Sequence, residues 1–152
     1  MLRQENLNQY ENTKQLHRSV KTPNLRYNDS GWTIKQILGH MIDSCSMNHQ
    51  RIGRRKQNAE VSLPGYDQDS FVLNMRYTEM EFAEMLLLWE SHNNILLKVF
   101  SLLTESDLDN STFTLKDGTG KPYRWWIDSY FEHMQKHEKQ VSRILKASNS
   151  HE

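Results

Sequence analysis

Residues 33–45 read Thr-Ile-Lys-Gln-Ile-Leu-Gly-His-Met-Ile-Asp-Ser-Cys, and this pattern predicts an amphipathic helix with a defined start. Ser30 and Thr33 are both N-cap candidates, and Gln36 stands three residues after Thr33, as in a capping box. Apolar residues then recur at intervals of three and four, so they share one face of a helix. They are Ile34, Ile37, Leu38, Met41, Ile42 and Cys45. We expect this helix to end in the fifties, where the basic residues of the stretch 51–56 favour a helix C-terminus.

Proline and glycine cluster in three places along the chain and leave four long segments with helical spacing. The clusters lie at Pro23 to Gly31, at Pro64-Gly65 and at Gly118 to Pro122. Beside the helix that starts at Thr33, we expect helices over residues 3–20, from near Thr78 through Leu103, and from Pro122 to about Lys146. Phe113–Leu115 is expected to be a short extended piece, and no other segment predicts a sheet. Four amphipathic helices in 152 residues predict an all-α four-helix bundle in a single domain, residues 1–152.

Composition and charge argue against several classes of protein. Lys and Arg number 19, as do Asp and Glu, so the neutral chain has no general field to gather nucleic acid or anionic lipid. The basic stretch 51–56 lacks interleaved aromatic residues and is interpreted as a solvated helix end. Met85–Trp89 is the longest apolar run, too short for a membrane span, and residues 1–10 do not resemble a signal peptide. The single cysteine, Cys45, excludes an internal disulfide and a Cys-rich zinc site. We therefore expect a cytoplasmic protein without a nucleic-acid or membrane partner.

The clearest chemical feature is the pair His133 and His137 in the last helical segment. Residues four apart on a helix point in nearly the same direction, roughly 6 Å apart along the axis, so both imidazoles can bind one Zn²⁺, Ni²⁺ or Fe²⁺. Met134 stands where a zincin has its catalytic Glu, so the pair is not that motif. The same spacing also occurs on solvated helix faces without a metal. Tyr130 and Val141 share the face of the pair, which indicates that both histidines point inward.

Three further residues are candidates for the site. His40 lies near the apolar face of the helix that starts at Thr33 and could be a third ligand from a second helix. Asp43, one turn later, could accept a ring N–H from a ligand histidine and is the nearest candidate for a catalytic base, although an ordinary surface Asp fits the pattern equally well. His92, in the third helical segment, is a candidate pocket residue. The other histidines, His17, His49 and His151, are not assigned to the site.

Three motifs resemble those of the DinB-like superfamily, which includes YfiT-like hydrolases and bacillithiol transferases. Residues 31–43 are similar to its signature W-S-I-K-E-I-L-G-H-L-I-D, and residues 63–69 look like the loop that follows its second helix. Asp128-Ser129-Tyr130 with His133, His137 and Gln140 resembles its last-helix pattern D-Y-x-x-H-x-x-x-H-x-x-Q. The resemblance covers about residues 30–146, in the same order and spacing.

The resemblance implies an up-down-down-up bundle with a long connection between the second and third long helices. It also implies one divalent metal, usually zinc or nickel, held by His40, His133 and His137, and a homodimer. The sequence departs from the family at Ser70, which precedes Phe71 where an aromatic residue is common, and at His92, where a Tyr is common.

Two functional interpretations remain open from the sequence. In the first, the protein is an enzyme whose metal activates either the thiol of a low-molecular-weight co-substrate, for transfer to a small molecule, or a water, for hydrolysis. The lack of an obvious general base other than Asp43 favours thiol activation. In the second, the bundle is a non-catalytic metal-binding stress-response protein or a dimeric scaffold.

Overall fold

The computed structural model of the protein describes residues 2–56, 60–62, 65–115 and 117–149. Four long helices form the bundle: α1 (Gln4–Ser19), α2 (Ile34–Arg54), α4 (Phe82–Leu102) and α6 (Tyr123–Asn149). Two short helices, α3 (Gln68–Asn74) and α5 (Glu105–Asp109), and a 3-10 turn at Tyr77–Glu79 lie in the connections. The three strands are β1 (Glu60–Ser62), β2 (Thr112–Thr114) and β3 (Gly120–Pro122). The predicted up-down-down-up four-helix bundle is confirmed.

Helix α2 is the centre of the packing. It contacts α4 most extensively and α6 next, while α1 packs mainly on α6. Ile37 and Leu38 from α2, Trp89 from α4 and Val141 from α6 are completely buried where these helices meet. Because each large apolar side chain buried in this way contributes about 1.5–3 kcal/mol, the shared core fixes α2 directly against α6, the two helices that carry the candidate ligands.

The predicted start of α2 is confirmed in detail. Thr33 Oγ1 accepts a hydrogen bond from the Gln36 backbone N–H at 3.1 Å, and Gln36 Oε1 accepts one from the Thr33 N–H at 2.9 Å. This reciprocal cap satisfies two backbone donors that would otherwise lack partners at the helix start. The apolar face predicted from the spacing is the buried one, since Ile34, Ile37 and Cys45 have no exposed surface.

The connection between α2 and α4 contains structure that the sequence pattern did not predict. α4 begins at Phe82 rather than near Thr78, because Arg76 has a left-handed backbone (φ 54°) and the next residues form the 3-10 turn. Tyr77 is buried by this turn and lies against Gly39 of α2. A Cβ on Gly39 would stand 2.1 Å from Tyr77 Cδ2, so this close approach requires glycine.

β1, β2 and β3 form a small three-stranded sheet, contrary to the expectation that no sheet would form beyond one extended piece. β2 lies between β1, to which it is parallel, and β3, to which it is antiparallel. The extended conformation expected near Phe113 is confirmed. Each strand has three residues, which is too short for the alternation of apolar and polar residues that identifies a strand from sequence.

The basic stretch 51–56 is only partly a solvated helix end, so that interpretation was wrong for two of its residues. The guanidinium carbon of Arg51 lies 4.3 Å from the centroid of the Trp126 ring. Arg55 pairs with Asp107, with 2.6 Å between Nη1 and Oδ1. Arg54, by contrast, is exposed.

Within the described ranges, no helix combines the length and apolar character needed to cross a membrane.

Candidate metal centre

The structure brings His40, His133 and His137 together between α2 and α6. His133 Nε2 lies 2.9 Å from His40 Nε2 and 3.0 Å from His137 Nε2. One ring nitrogen from each of the three residues lies within 4.8 Å of the other two. The spacing of four residues on α6 places His133 and His137 side by side, and the packing of α2 on α6 supplies the third ring.

Gln140 fixes the orientation of the His137 ring. Gln140 Oε1 lies 2.9 Å from His137 Nδ1, and because an amide oxygen only accepts, the histidine nitrogen is the donor. A neutral His137 then has its lone pair on Nε2, which faces the other two histidines. In the sequence, Gln140 entered only as part of a family pattern, and its signal was the position three residues after His137 on the same helix face.

Among the described residues, the Nδ1 atoms of His133 and His40 have no hydrogen bond as short as the one between His137 Nδ1 and Gln140. Ser44 Oγ lies 3.5 Å from His133 Nδ1, at the limit of a hydrogen bond. His40 packs against the Trp32 ring, with 5.0 Å between centroids, and its Nδ1 is buried without a hydrogen-bond partner among the described residues.

Asp43 does not hydrogen-bond to a ligand ring as the sequence suggested it could. Its Oδ1 accepts a hydrogen bond from the hydroxyl of Tyr77, and its Oδ2 is buried without a partner within the described part of the chain. Burial raises the pKa of Asp43, and the hydrogen bond from Tyr77 opposes this. Asp43 Oδ2 and His40 Nδ1 are thus an acceptor and a ring nitrogen, one helical turn apart, that each lack a hydrogen-bond partner in the described part of the chain. The catalytic role of Asp43 stays a prediction.

Two cavities border the three histidines. The larger, 720 Å³, opens to solvent beside His137, and the smaller, 230 Å³, is lined by His40 and His133. Gln68 of α3 lines both. The cluster is therefore accessible from two sides to a small molecule.

Comparison with known proteins identifies the family. A model of the DinB superfamily matches residues 10–141. The chain belongs to the DinB superfamily. YfiT from Bacillus subtilis, described as a probable metal-dependent hydrolase with an unusual four-helix bundle topology, has a similar structure, with a TM-score of 0.74 over 99% of this chain and 90% of that protein. The two sequences are 14% identical, so the likeness establishes a common fold. No curated protein matches the sequence significantly.

The electrostatics of this DinB superfamily cluster favour uncharged imidazoles. Burial, together with the nearby His137, His40 and Lys136, lowers the pKa of His133 to about 3. Burial, His137 and Lys136 lower the pKa of His40 to about 4. Burial also lowers the pKa of His137, although its hydrogen bond with Gln140 opposes the shift. All three rings are therefore neutral near pH 7, which is the form that binds a metal.

The spacing of the ring nitrogens fits one small divalent ion. Zn–N bonds of about 2.0–2.1 Å at tetrahedral angles separate two ligand nitrogens by about 3.3 Å. The two Nε2–Nε2 distances of 2.9 and 3.0 Å are a few tenths of an ångström shorter, which slight rotation of the rings would supply. Three converging imidazole nitrogens suit zinc and nickel alike.

The remaining histidines lie elsewhere. His92 of α4 pairs with His49 of α2, with 2.9 Å between His92 Nε2 and His49 Nδ1, and it does not line either of the cavities beside the cluster. The contact between His92 and His49 does not support a role for His92 as a pocket residue, so that role stays a prediction. His17 is buried and donates from Nδ1 to the Thr13 carbonyl at 2.9 Å. His151 lies outside the described residues.

Proposed function

We propose that this DinB superfamily protein is a metal-dependent enzyme in which His40, His133 and His137 hold one divalent ion, zinc or nickel. The observation that carries the proposal is the convergence of three neutral ring nitrogens beside cavities that admit a small molecule. Three histidine ligands leave positions open for substrate, as in catalytic rather than structural sites. When bound, the ion would act as a Lewis acid that lowers the pKa of a coordinated water or thiol. The description of YfiT as a probable metal-dependent hydrolase supports the same class.

The protein's own residues would prepare the site for this chemistry. Burial keeps the three imidazoles unprotonated, and Gln140 directs the Nε2 of His137 toward the cluster. Asp43 accepts its hydrogen bond from Tyr77, so the nearest predicted base is not hydrogen-bonded to any of the three histidines. Without such a base, a coordinated thiol would lose its proton to solvent more readily than a coordinated water, because the thiol is the stronger acid, so transfer of a low-molecular-weight thiol to an electrophile has more support than hydrolysis.

Activity assays on untagged, metal-loaded protein test the proposal. We expect zinc or nickel to stimulate conjugation of a thiol (bacillithiol, glutathione or cysteine) to a haloarene. His137→Ala should lower the rate more than about a hundredfold, since losing even a residue that orients a ligand costs about 10–100-fold. His92→Ala, which removes a histidine outside the cluster, should retain the wild-type rate. A metal-loaded protein with no stimulated rate on any thiol or ester would favour the non-catalytic scaffold.

The affinity for zinc should depend weakly on pH, because protons compete with the metal only below the pKa values of the ligands. Three independent imidazoles with an ordinary pKa of about 6.5 would lose affinity by about a thousandfold between pH 7.5 and 5.5. The lowered pKa values of His40, His133 and His137 move this competition to lower pH, so we expect a loss of less than about tenfold. Chelator-competition titrations at both pH values measure it, and a thousandfold loss would show that the rings are ordinary, solvated histidines.

The non-catalytic alternative has less support. A vestigial histidine cluster in a scaffold would be expected to have its open side filled by neighbouring side chains, whereas a cavity of 720 Å³ lies beside His137. The homodimer is also a proposal. Its support is an exposed apolar stripe on α4, where Leu88, Ile95 and Leu102 follow one another at intervals of seven residues. A cytoplasmic location, like the absence of a nucleic-acid partner, stays a prediction from the sequence.

A further inference from the structure

Arg51 occupies the same face of α2 as the candidate ligand His40. Eleven residues are about three helical turns, so the two side chains leave the helix in nearly the same direction. Both line the 230 Å³ cavity, together with Ser44 and Asn48 of the intervening turns. The guanidinium carbon of Arg51 lies 4.3 Å from the centroid of the Trp126 ring of α6, and Trp126 also lines this cavity.

Among the described residues, the Arg51 guanidinium has no acidic partner, whereas those of five other arginines do. Five arginines pair with carboxylates at 3.0 Å or less: Arg3 with Asp128, Arg18 with Glu90, Arg55 with Asp107, Arg76 with Glu79, and Arg124 with Asp109. Arg51 has no salt bridge within the described ranges, and its hydrogen bond there is a long one, 3.4 Å from Nη1 to Asn48 Oδ1. Most of its N–H donors are therefore available to a ligand.

The surroundings of Arg51 favour the binding of an anion next to its guanidinium. Burial lowers the pKa of Arg51, and the phenols of Tyr66 and Tyr123, rather than a carboxylate, act in the opposite direction. The indole Nε1 of Trp126 is a second buried donor without an acceptor among the described residues. A partly buried cation without a counter-ion is unfavourable, and an anion bound in this cavity would remove that cost.

We propose that Arg51 binds a carboxylate of the substrate, so that the enzyme acts on small, elongated carboxylic acids. A planar guanidinium matches the two oxygens of a carboxylate, and one cation balances one such charge. Trp126 lies seven residues before His133 on α6, roughly 10 Å along the helix axis, so the carboxylate would bind at the end of the cavity away from the three histidines. The position of the reacting group rests on the proposed metal-dependent function, whereas carboxylate binding by Arg51 does not.

Indole N–H signals of ¹⁵N-labelled, metal-free protein test carboxylate binding without any catalysis. The Trp126 signal, assigned with Trp126→Phe, should shift saturably on titration with hexanoate, and hexanamide should bind at least about tenfold more weakly because it lacks the charge. Arg51→Gln should remove this preference. Arg54→Gln, an exposed arginine on the same helix, should leave it unchanged. Equal binding of acid and amide to the wild type, or a preference that survives in Arg51→Gln, would overturn the proposal. So would inorganic phosphate that saturates the same signal more tightly than hexanoate.

The comparison of acid with amide uses only the wild type, so it holds even if Arg51→Gln fails to fold. A second titration connects the carboxylate to the metal. In Co²⁺-loaded protein, 6-mercaptohexanoate should produce a thiolate-to-cobalt absorption band at a concentration at least about tenfold lower than 6-mercaptohexan-1-ol does, and Arg51→Gln should make the two equal. If neither thiol produces the band, the proposed activation of a thiol by the metal is contradicted. The indole titration still decides whether Arg51 binds a carboxylate.

Discussion

Replacing His133 and His137 together by alanine is expected to lower the affinity for zinc and nickel by more than about a thousandfold, because a single imidazole remains. His133 is the central residue of the cluster, with its Nε2 about equally far from those of His40 and His137. Equilibrium dialysis and chelator competition on untagged protein measure the change. Circular dichroism should show the helical content of the wild type, because both substitutions favour a helix.

The surface pair His49 and His92 provides a matched control. These rings also approach within 2.9 Å and come from two different helices, but they lack a third histidine among the described residues. The double substitution His49→Ala, His92→Ala should therefore leave the affinity for zinc unchanged. Loss of the metal from this control, rather than from the cluster variant, would contradict a metal centre at His40, His133 and His137.

Replacing Gly39 by alanine is expected to destabilise the protein by about 3 kcal/mol or more, against the intrinsic preference of helices for alanine over glycine. The new Cβ would stand 2.1 Å from the ring of Tyr77, so that ring must move away from α2. Its hydroxyl would then no longer donate to Asp43, and a buried carboxylate would lose its hydrogen bond. The free energy of unfolding from urea titrations measures the effect.

Gly53 is the control for this substitution. It lies in the same helix, and a Cβ at that position would meet nothing within 4 Å. Gly53→Ala should therefore be neutral or stabilise the protein by up to about 1 kcal/mol. Similar small effects at Gly39 and Gly53 would mean that Tyr77 does not pack against α2 as described.

The sequence predicts the long helices well because their signals are local. The capping box at Thr33 and the apolar spacing after it depend on residues within one or two turns, and the structure retains both. The short helices α3 and α5 and the strands β1 and β3 were missed, and β2 was expected only as an extended piece, because segments of three to seven residues contain too few repeats to show a period. The 3-10 turn at Tyr77–Glu79 depends on packing against Gly39, which no local pattern reveals.

The candidate site was predictable in part for the same reason. His133 and His137 follow from spacing within one helix, whereas His40 joins them only through the packing of α2 on α6. Before the structure, that packing was indicated by the family resemblance rather than by periodicity. Arg51 was misinterpreted because a run of basic residues was treated as uniformly solvated. Its contact with Trp126, 75 positions later in the chain, depends entirely on the tertiary fold.

The most direct test of the metal centre is anomalous diffraction at the absorption edge of the bound metal, on crystals of untagged protein loaded with zinc or nickel. We predict one strong peak within about 2.0–2.2 Å of the Nε2 atoms of His40, His133 and His137. A peak elsewhere, such as between His49 and His92, or no peak at the cluster in fully loaded protein, would contradict it.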